Sequence, residues 1–366
     1  MVHRQSHVFR TNILQQVVED LEVLFKKELI KDCDTASNLT SYLRGLKPEL
    51  EDFHDQINNF DGDVRMPYFK TRTQIIYALR YFHTYWYQIK HALDEIKEHL
   101  IKKNNLKIGL FCAGPCPELI GISRFLEENP NNFLSVDIHI YDQIDEWKYA
   151  RENFIFSNGK KELMEKNLRM NFHFHQIDLT SPDDLDQFIT SNFFDVISFQ
   201  NCLGEFSESA HDDSSKNFLK VLESLKPNSH VIFSERNISG THKNISRILK
   251  FSASNNYRIV KGVEAHEYDS KAHSPVPDRL KHGNFYRDPN HGAKGKSAMR
   301  HNYYKLLILQ KFSELQKNKS LVGRTATHKD FGKGVVKAVN NSSIEVDFDE
   351  LGLVSLTLPS TRMRIE

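Results

Sequence analysis

Residues 106–121 read LKIGLFCAGPCPELIG, and residues 136–142 read VDIHIYD. The first run is an apolar strand, a turn built on Gly114 and Pro115, and the start of a helix. The second is another apolar strand, closed by an acid, Asp142. An α/β sheet builds a nucleotide-shaped pocket in this way. The turn lets the backbone approach the ligand, and the acid accepts hydrogen bonds from ribose hydroxyls.

Outward from this stretch the rhythm continues. Apolar runs at 108–111, 136–141, 172–177, 194–199, 230–234 and 303–310 predict strands, and helical patterns intervene at 117–128, 145–168, 183–191 and 214–226. Strands separated by helices point to a parallel sheet in a three-layer α/β domain. Residues 262–302 break the rhythm with His, Lys, Gly and Pro and weak periodicity, and so read as a long functional loop.

Upstream, residues 1–104 read as helical. Apolar residues at 13, 14, 17, 18, 21, 24, 25 and 29 follow a 3.6-residue period, a polar stretch near 53–63 interrupts, and a second helix runs over 71–103. Tyr77, Tyr81 and Tyr85 form a stripe that reads first as core packing and second as a base-stacking platform. Downstream, a polar linker at 313–320 precedes an alternating tail with glycines at 332, 334 and 352 and a hairpin turn at Asn340 and Asn341. The chain thus divides into 1–104, 105–312 and 321–366.

Composition narrows the class. The chain has 366 residues, 39% of them hydrophobic, with a net charge of +1. Mean hydropathy is −0.53, and no apolar run reaches the ~18 residues of a membrane span. With four cysteines and no apolar leader at the N-terminus, the expectation is a cytoplasmic protein without a disulfide framework. A neutral balance leaves any nucleic-acid contact to a local patch. One such patch is 271–302, with seven Lys/Arg against two Asp and with Phe285 and Tyr286 between them.

The order of these motifs resembles the class I S-adenosylmethionine-dependent methyltransferases. Their first strand ends in a pattern like hhDhGxGxGxE, which falls on Ile108 to Glu118. Gly114 takes the central glycine, Leu110 stands where the family has an acid, and Cys112 and Cys116 stand where it has the outer glycines. The resemblance implies a Rossmann-like, seven-stranded, mostly parallel sheet with a helical N-terminal region and a small C-terminal β-barrel. It implies S-adenosyl-L-methionine as cofactor, held by Cys112, Ala113 and Gly114 of the turn. Asp142 would meet the ribose hydroxyls and Asp178 the adenine amino group, with Leu179 beside the adenine face. Gln200 and Asn201 would border the methyl donor. The stretch 218–236 matches the family's helix, Lys-Pro-Gly-Gly-like turn and fifth strand, with Asn228 and Ser229 in place of the glycines. A dinucleotide site fits less well, because Gly114 lacks the partner glycines that a pyrophosphate needs.

No catalytic residue follows from the resemblance. Glu205 and Glu235 are candidate bases, against the plainer reading of surface or capping carboxylates. Cys112, Cys116 and Cys202 could converge at the strand tips, but no metal spacing supports a site, and none is expected. The tail at 328–358 resembles the Tudor-like module that ends superfamily 1 DNA-repair helicases, through His328, Phe331, Gly332, Gly334, Val336, Val346, Phe348, Gly352 and Leu356. Such barrels bind proteins or nucleic acids. Together with 271–302 this tilts the acceptor toward a nucleic acid or nucleoprotein. The alternatives are a small-molecule or protein acceptor, or a scaffold whose altered first motif no longer supports catalysis. Neither membrane association nor an oligomeric state is indicated.

Overall fold

The computed structural model describes residues 12–27, 30, 36–58, 67–155, 168–179, 194–203, 220–222, 225–236, 241–254, 257–269, 276–282, 285–286, 301–312, 322–330, 332–339, 343–349, 352–357 and 363–365. A seven-stranded sheet forms the centre. Its strands are β1 (Asn105–Phe111), β2 (Ser135–Asp142), β3 (Arg169–Gln176), β4 (Val196–Gln200), β5 (His230–Arg236), β6 (Tyr257–Asp269) and β7 (His301–Lys311). They lie in the order β3-β2-β1-β4-β5-β7-β6. The first five run parallel, and β7 is antiparallel to both β5 and β6. This is the Rossmann-like sheet that the sequence implied. The order reverses between β1 and β4, and in open α/β sheets that switch point opens the ligand crevice at the strands' carboxyl ends.

One strand escaped the sequence reading. Residues 257–269 form β6, although the weak periodicity from 262 onward predicts a loop. It lies at the sheet edge, and its register shifts twice, between Ile259 and Lys261 and between Lys261 and Glu264. Each shift changes which face a residue presents, so the alternation that would announce a strand is lost.

The N-terminal helices are α1 (Ile13–Lys26), α2 (Leu39–Gly45), α3 (Lys47–Asn58), α4 (Thr71–Glu95) and α5 (Lys97–Leu100). The expected break near 53–63 comes later than read, since α3 runs to Asn58. Asn12 caps α1 by accepting from Leu14 N and Gln15 N, and Asn38 forms a capping box with Ser41. α4 is buried on most of its circumference, as a helix enclosed by other layers must be. It packs on α6 (Glu118–Glu128), which follows β1. One continuous core joins α1, α4, β1, β2 and α6. A second core on the other face holds Phe111, Phe199, Val221, Phe233 and Leu307.

Tyr81 and Tyr85 are buried and stacked at 4.8 Å, and Tyr77 packs on Tyr81 at 4.9 Å and Trp147 at 5.4 Å. The tyrosine stripe is core packing, not an open platform. α7 (Thr241–Ser254) precedes β6, and α8 (Asp278–His282) follows it. At the C-terminal side, β8 (Thr325–His328), β9 (Gly332–Val339), β10 (Ser343–Phe348), β11 (Gly352–Thr357) and β12 (Met363–Ile365) make a five-stranded sheet in the order β11-β10-β9-β8-β12. Every adjacent pair is antiparallel. Ala326, Val336, Ile344, Val346 and Phe348 are its core. At Gly334 a Cβ would lie 2.6 Å from Asp347 O, which is why a glycine stands there. The helical patterns at 156–167 and 183–191, the hairpin turn at 340–341 and the linker at 313–320 lie outside the described residues.

Candidate functional site

The strand register fixes the geometry of the crevice. Phe111 pairs with Tyr141 on one side and with Phe199 on the other. Cys112, Asp142 and Gln200 therefore emerge at one level, at the switch point. The turn after β1 has an unusual backbone: φ is 50° at Cys112, 49° at Gly114 and 66° at Cys116. Left-handed φ is costly for a residue with a Cβ, on the order of 1 kcal/mol. The two cysteines that stand for glycines thus also adopt glycine's conformation. Cys116 is fully buried, and burial raises its thiol well above the ordinary range, so it is no thiolate nucleophile.

Asp142 clasps this turn. Its Oδ2 accepts from Gly114 N at 2.7 Å, and its Oδ1 accepts from Ile144 N at 2.9 Å. Burial raises its carboxyl, against the pull of these two amides and of Arg151. Each carboxylate oxygen still has a lone pair to offer. Arg151 Nη1 donates to Gly114 O at 2.9 Å. Trp147 covers Gly114 so closely that a Cβ there would lie 3.3 Å from the indole. Trp147 and Arg151 were not foreseen. The available signal was a scarce residue, one of only two tryptophans, five positions after the strand-ending acid.

The other expected residues sit around this centre. Asp178 is half-buried just past β3, whose end is tied to β2 by Ile177 N donating to Asp142 O at 3.0 Å. Leu179 is buried in the second core, which also contains Tyr141, Cys202 and Leu203. Gln200 and Asn201 turn toward α4: Gln200 Nε2 donates to Tyr85 O at 3.2 Å, and Gln88 Nε2 donates to Asn201 Oδ1 at 3.5 Å. Asn201 has φ 55°, and its N–H donates to Ser234 O at 2.8 Å.

Glu235 is not placed as a base. Its Oε1 accepts from both Cys202 N and Leu203 N at 2.9 Å, so it anchors the loop after β4. Glu205 lies outside the described residues. Among the described residues no group of three or more His, Cys, Asp or Glu could hold a metal ion. Phe285 and Tyr286, the aromatic residues inside the basic stretch, are fully buried, and Tyr286 Oη donates to Leu79 O at 2.7 Å. Most of the basic stretch around them lies outside the described residues. Also among the described residues, no helix is long and apolar enough to cross a membrane.

Among the described residues, buried polar atoms without a partner occur in several parts of the fold, and four lie at this end of the sheet: Glu118 Oε2, Arg151 Nε, Gln200 Oε1 and Asn201 Nδ2. Native interiors leave few such atoms unpaired, and a polar ligand in the crevice is a physical reason for them.

No protein-family model and no curated protein matches the chain. Several solved structures are similar at low identity. A putative class I S-adenosylmethionine-dependent methyltransferase from Listeria monocytogenes is 14% identical, with a TM-score of 0.41 over 82% of this chain and 88% of that one. A putative S-adenosylmethionine-dependent methyltransferase from Methanococcus maripaludis is 11% identical, with a TM-score of 0.37 over 69% and 97%. The plantazolicin methyltransferase BpumL, solved with SAH, is 11% identical, with a TM-score of 0.34 over 82% and 99%. At such scores these likenesses add no weight to the reading below, which rests on the chain's own geometry.

Proposed function

We propose that the chain is an S-adenosylmethionine-dependent methyltransferase whose cofactor lies across the carboxyl ends of β1, β2 and β4. The observation that carries this reading is the turn after β1. Three left-handed residues at the topological switch point, held by an acid from the end of the next strand, let the backbone approach a nucleoside. The polar atoms around it that lack a partner among the described residues fit a ligand rich in hydrogen-bonding groups.

When bound, the cofactor supplies a methyl group on a sulfonium, which an acceptor displaces in line. The chain's residues then bind, align and exclude water. Asp142 takes the ribose hydroxyls on its remaining lone pairs while its other lone pairs hold the turn. Asp178 takes the adenine amino group, and Leu179 supplies an apolar wall. Gln200 and Asn201, fixed against α4, border the reacting methyl. The acceptor leans toward a nucleic acid or nucleoprotein, from the charge of 271–302 and the C-terminal sheet as a recruiting module.

Calorimetry with S-adenosylmethionine and S-adenosylhomocysteine tests the cofactor. Asp142→Ala is expected to weaken binding about 10- to 100-fold, the scale of losing a carboxylate's buried hydrogen bonds. If neither ligand binds wild-type protein at millimolar concentration, the enzyme reading fails and the scaffold reading replaces it. If binding holds, transfer of labelled methyl to RNA, DNA and protein fractions identifies the acceptor class.

A further inference from the structure

β1 carries no acid toward the crevice, because Leu110 is fully buried in the apolar core. The next element does carry one. Glu118 opens α6 and is only 3% exposed, and its Oε2 has no hydrogen-bond partner among the described residues. The neighbouring helical N–H groups are already served by the turn: Leu119 N donates to Cys116 O at 3.1 Å and Ile120 N to Pro117 O at 3.1 Å. A buried carboxyl with one idle oxygen, beside a second carboxyl at Asp142, is a place that lacks a cation.

Among the described residues the charged and titratable neighbours are few. From the turn comes Cys116, and from the end of β2 comes Asp142. From the helical stretch 145–155 comes Arg151, whose charge is shared among Cys116, Asp142, Asp145 and Glu152. On α4, which packs on α6, His83 lies one turn before the Trp86 that meets Gly121, and Lys90 is engaged by Asp94 and Glu128. Burial first, then the charge of Asp142, push the Glu118 carboxyl up to about 8, while its own amide pulls the other way. At neutral pH it therefore holds a proton.

We propose that Glu118 receives the ammonium group at the ligand's amino-acid end and gives up its proton to solvent as it does so. This rests on the methyl-donor reading. S-adenosylhomocysteine is the apt probe, since it keeps the ammonium and lacks the sulfonium. Methylthioadenosine, which lacks both, is the control.

Calorimetry in buffers of different ionisation enthalpy counts the protons. At pH 7 wild-type protein is expected to release close to one proton per S-adenosylhomocysteine bound, and none with methylthioadenosine. From pH 5 up to pH 7 the affinity for S-adenosylhomocysteine is expected to increase nearly tenfold with each unit by which the pH is raised. Glu118→Gln is expected to abolish both the release and the slope. If S-adenosylhomocysteine binds wild-type protein with no proton released, the role of Glu118 is overturned and the methyl-donor reading stands. If it does not bind wild-type protein at all, both fall. The wild-type count decides the matter even where the variant folds poorly.

Discussion

Gly121→Ala is expected to destabilise the protein by about 3 kcal/mol or more. Gly121 sits in α6 where that helix crosses α4. A Cβ placed there would lie 2.2 Å from Trp86 O, 2.4 Å from Ile89 Cγ2 and 3.2 Å from Lys90 N. Two of these three atoms belong to the backbone of α4, so no rotamer change relieves the clash. The helices must separate, and the packing between them loosens along their length. Overpacking a core typically costs about 1–3 kcal/mol, and a clash with backbone falls at or beyond the upper end. Alanine's better helix propensity returns only about 1 kcal/mol. Separation would also draw Trp86 away from Arg124, whose guanidinium lies 4.1 Å over the indole ring. Urea unfolding measures the cost. Gly262→Ala is the matched control, because nothing lies within 4 Å of its Cβ position, and a change within about 0.5 kcal/mol is expected there. Equal midpoints for Gly121→Ala and wild type would mean that α4 and α6 do not cross this closely.

The pattern of residues around Gly121 illustrates what the sequence made legible. The apolar runs announced six of the seven strands of the large sheet; β1, β2, β4 and β5 are central parallel strands that read as apolar segments, and the edge strand β3 still alternates Met170, Phe172 and Phe174. β6 did not read that way, since an edge strand with two register shifts has no steady alternation. The turn after β1 was legible because its making is local: Gly114 and the two cysteines adopt left-handed backbone, and Asp142 at the strand end clasps the turn. It was illegible where the role depends on a distant partner. Nothing near Glu235 in sequence shows that it receives two amides from the loop after β4. Nothing near Tyr286 shows that its hydroxyl meets Leu79 O. Glu118 stood inside the quoted motif, but its idle oxygen comes from burial by neighbouring elements, which no spacing encodes.

Two buried groups should pull the pH dependence of stability in opposite senses. His230 opens β5 at the end of the sheet away from the crevice. It is 1% exposed, with Nε2 3.1 Å from His99 Nδ1 and with Nδ1 unpartnered among the described residues. Burial, then the charges of His99, Arg258 and Lys103, lower it from 6.5 to about 4. The unfolded chain takes up this proton below pH 6.5 and the folded chain does not, so His230 costs stability as pH falls from 6.5 toward 4. Glu118 does the reverse. It is raised from 4.5 to about 8, so the folded chain keeps a proton that the unfolded chain has lost. Its cost grows as pH rises from 4.5 to 8. Each contributes a slope of about 1.4 kcal/mol per pH unit. Between pH 5 and 6.5 the two nearly cancel, so wild-type stability changes little from these groups. Removing either one unmasks the other. Relative to wild type, Glu118→Gln should gain about 2 kcal/mol as pH rises from 5 to 6.5. His230→Phe, which keeps a ring beside His99, should lose about 2 kcal/mol over the same interval. Urea titrations at pH 5.0, 5.75 and 6.5 give the three curves. Other histidines with lowered values, such as His139 and His175, tilt all three curves alike and drop out of the differences. Parallel curves would show that neither group is held in the protonation state its burial demands, and would remove the reservoir of proton release on which ligand binding at Glu118 depends.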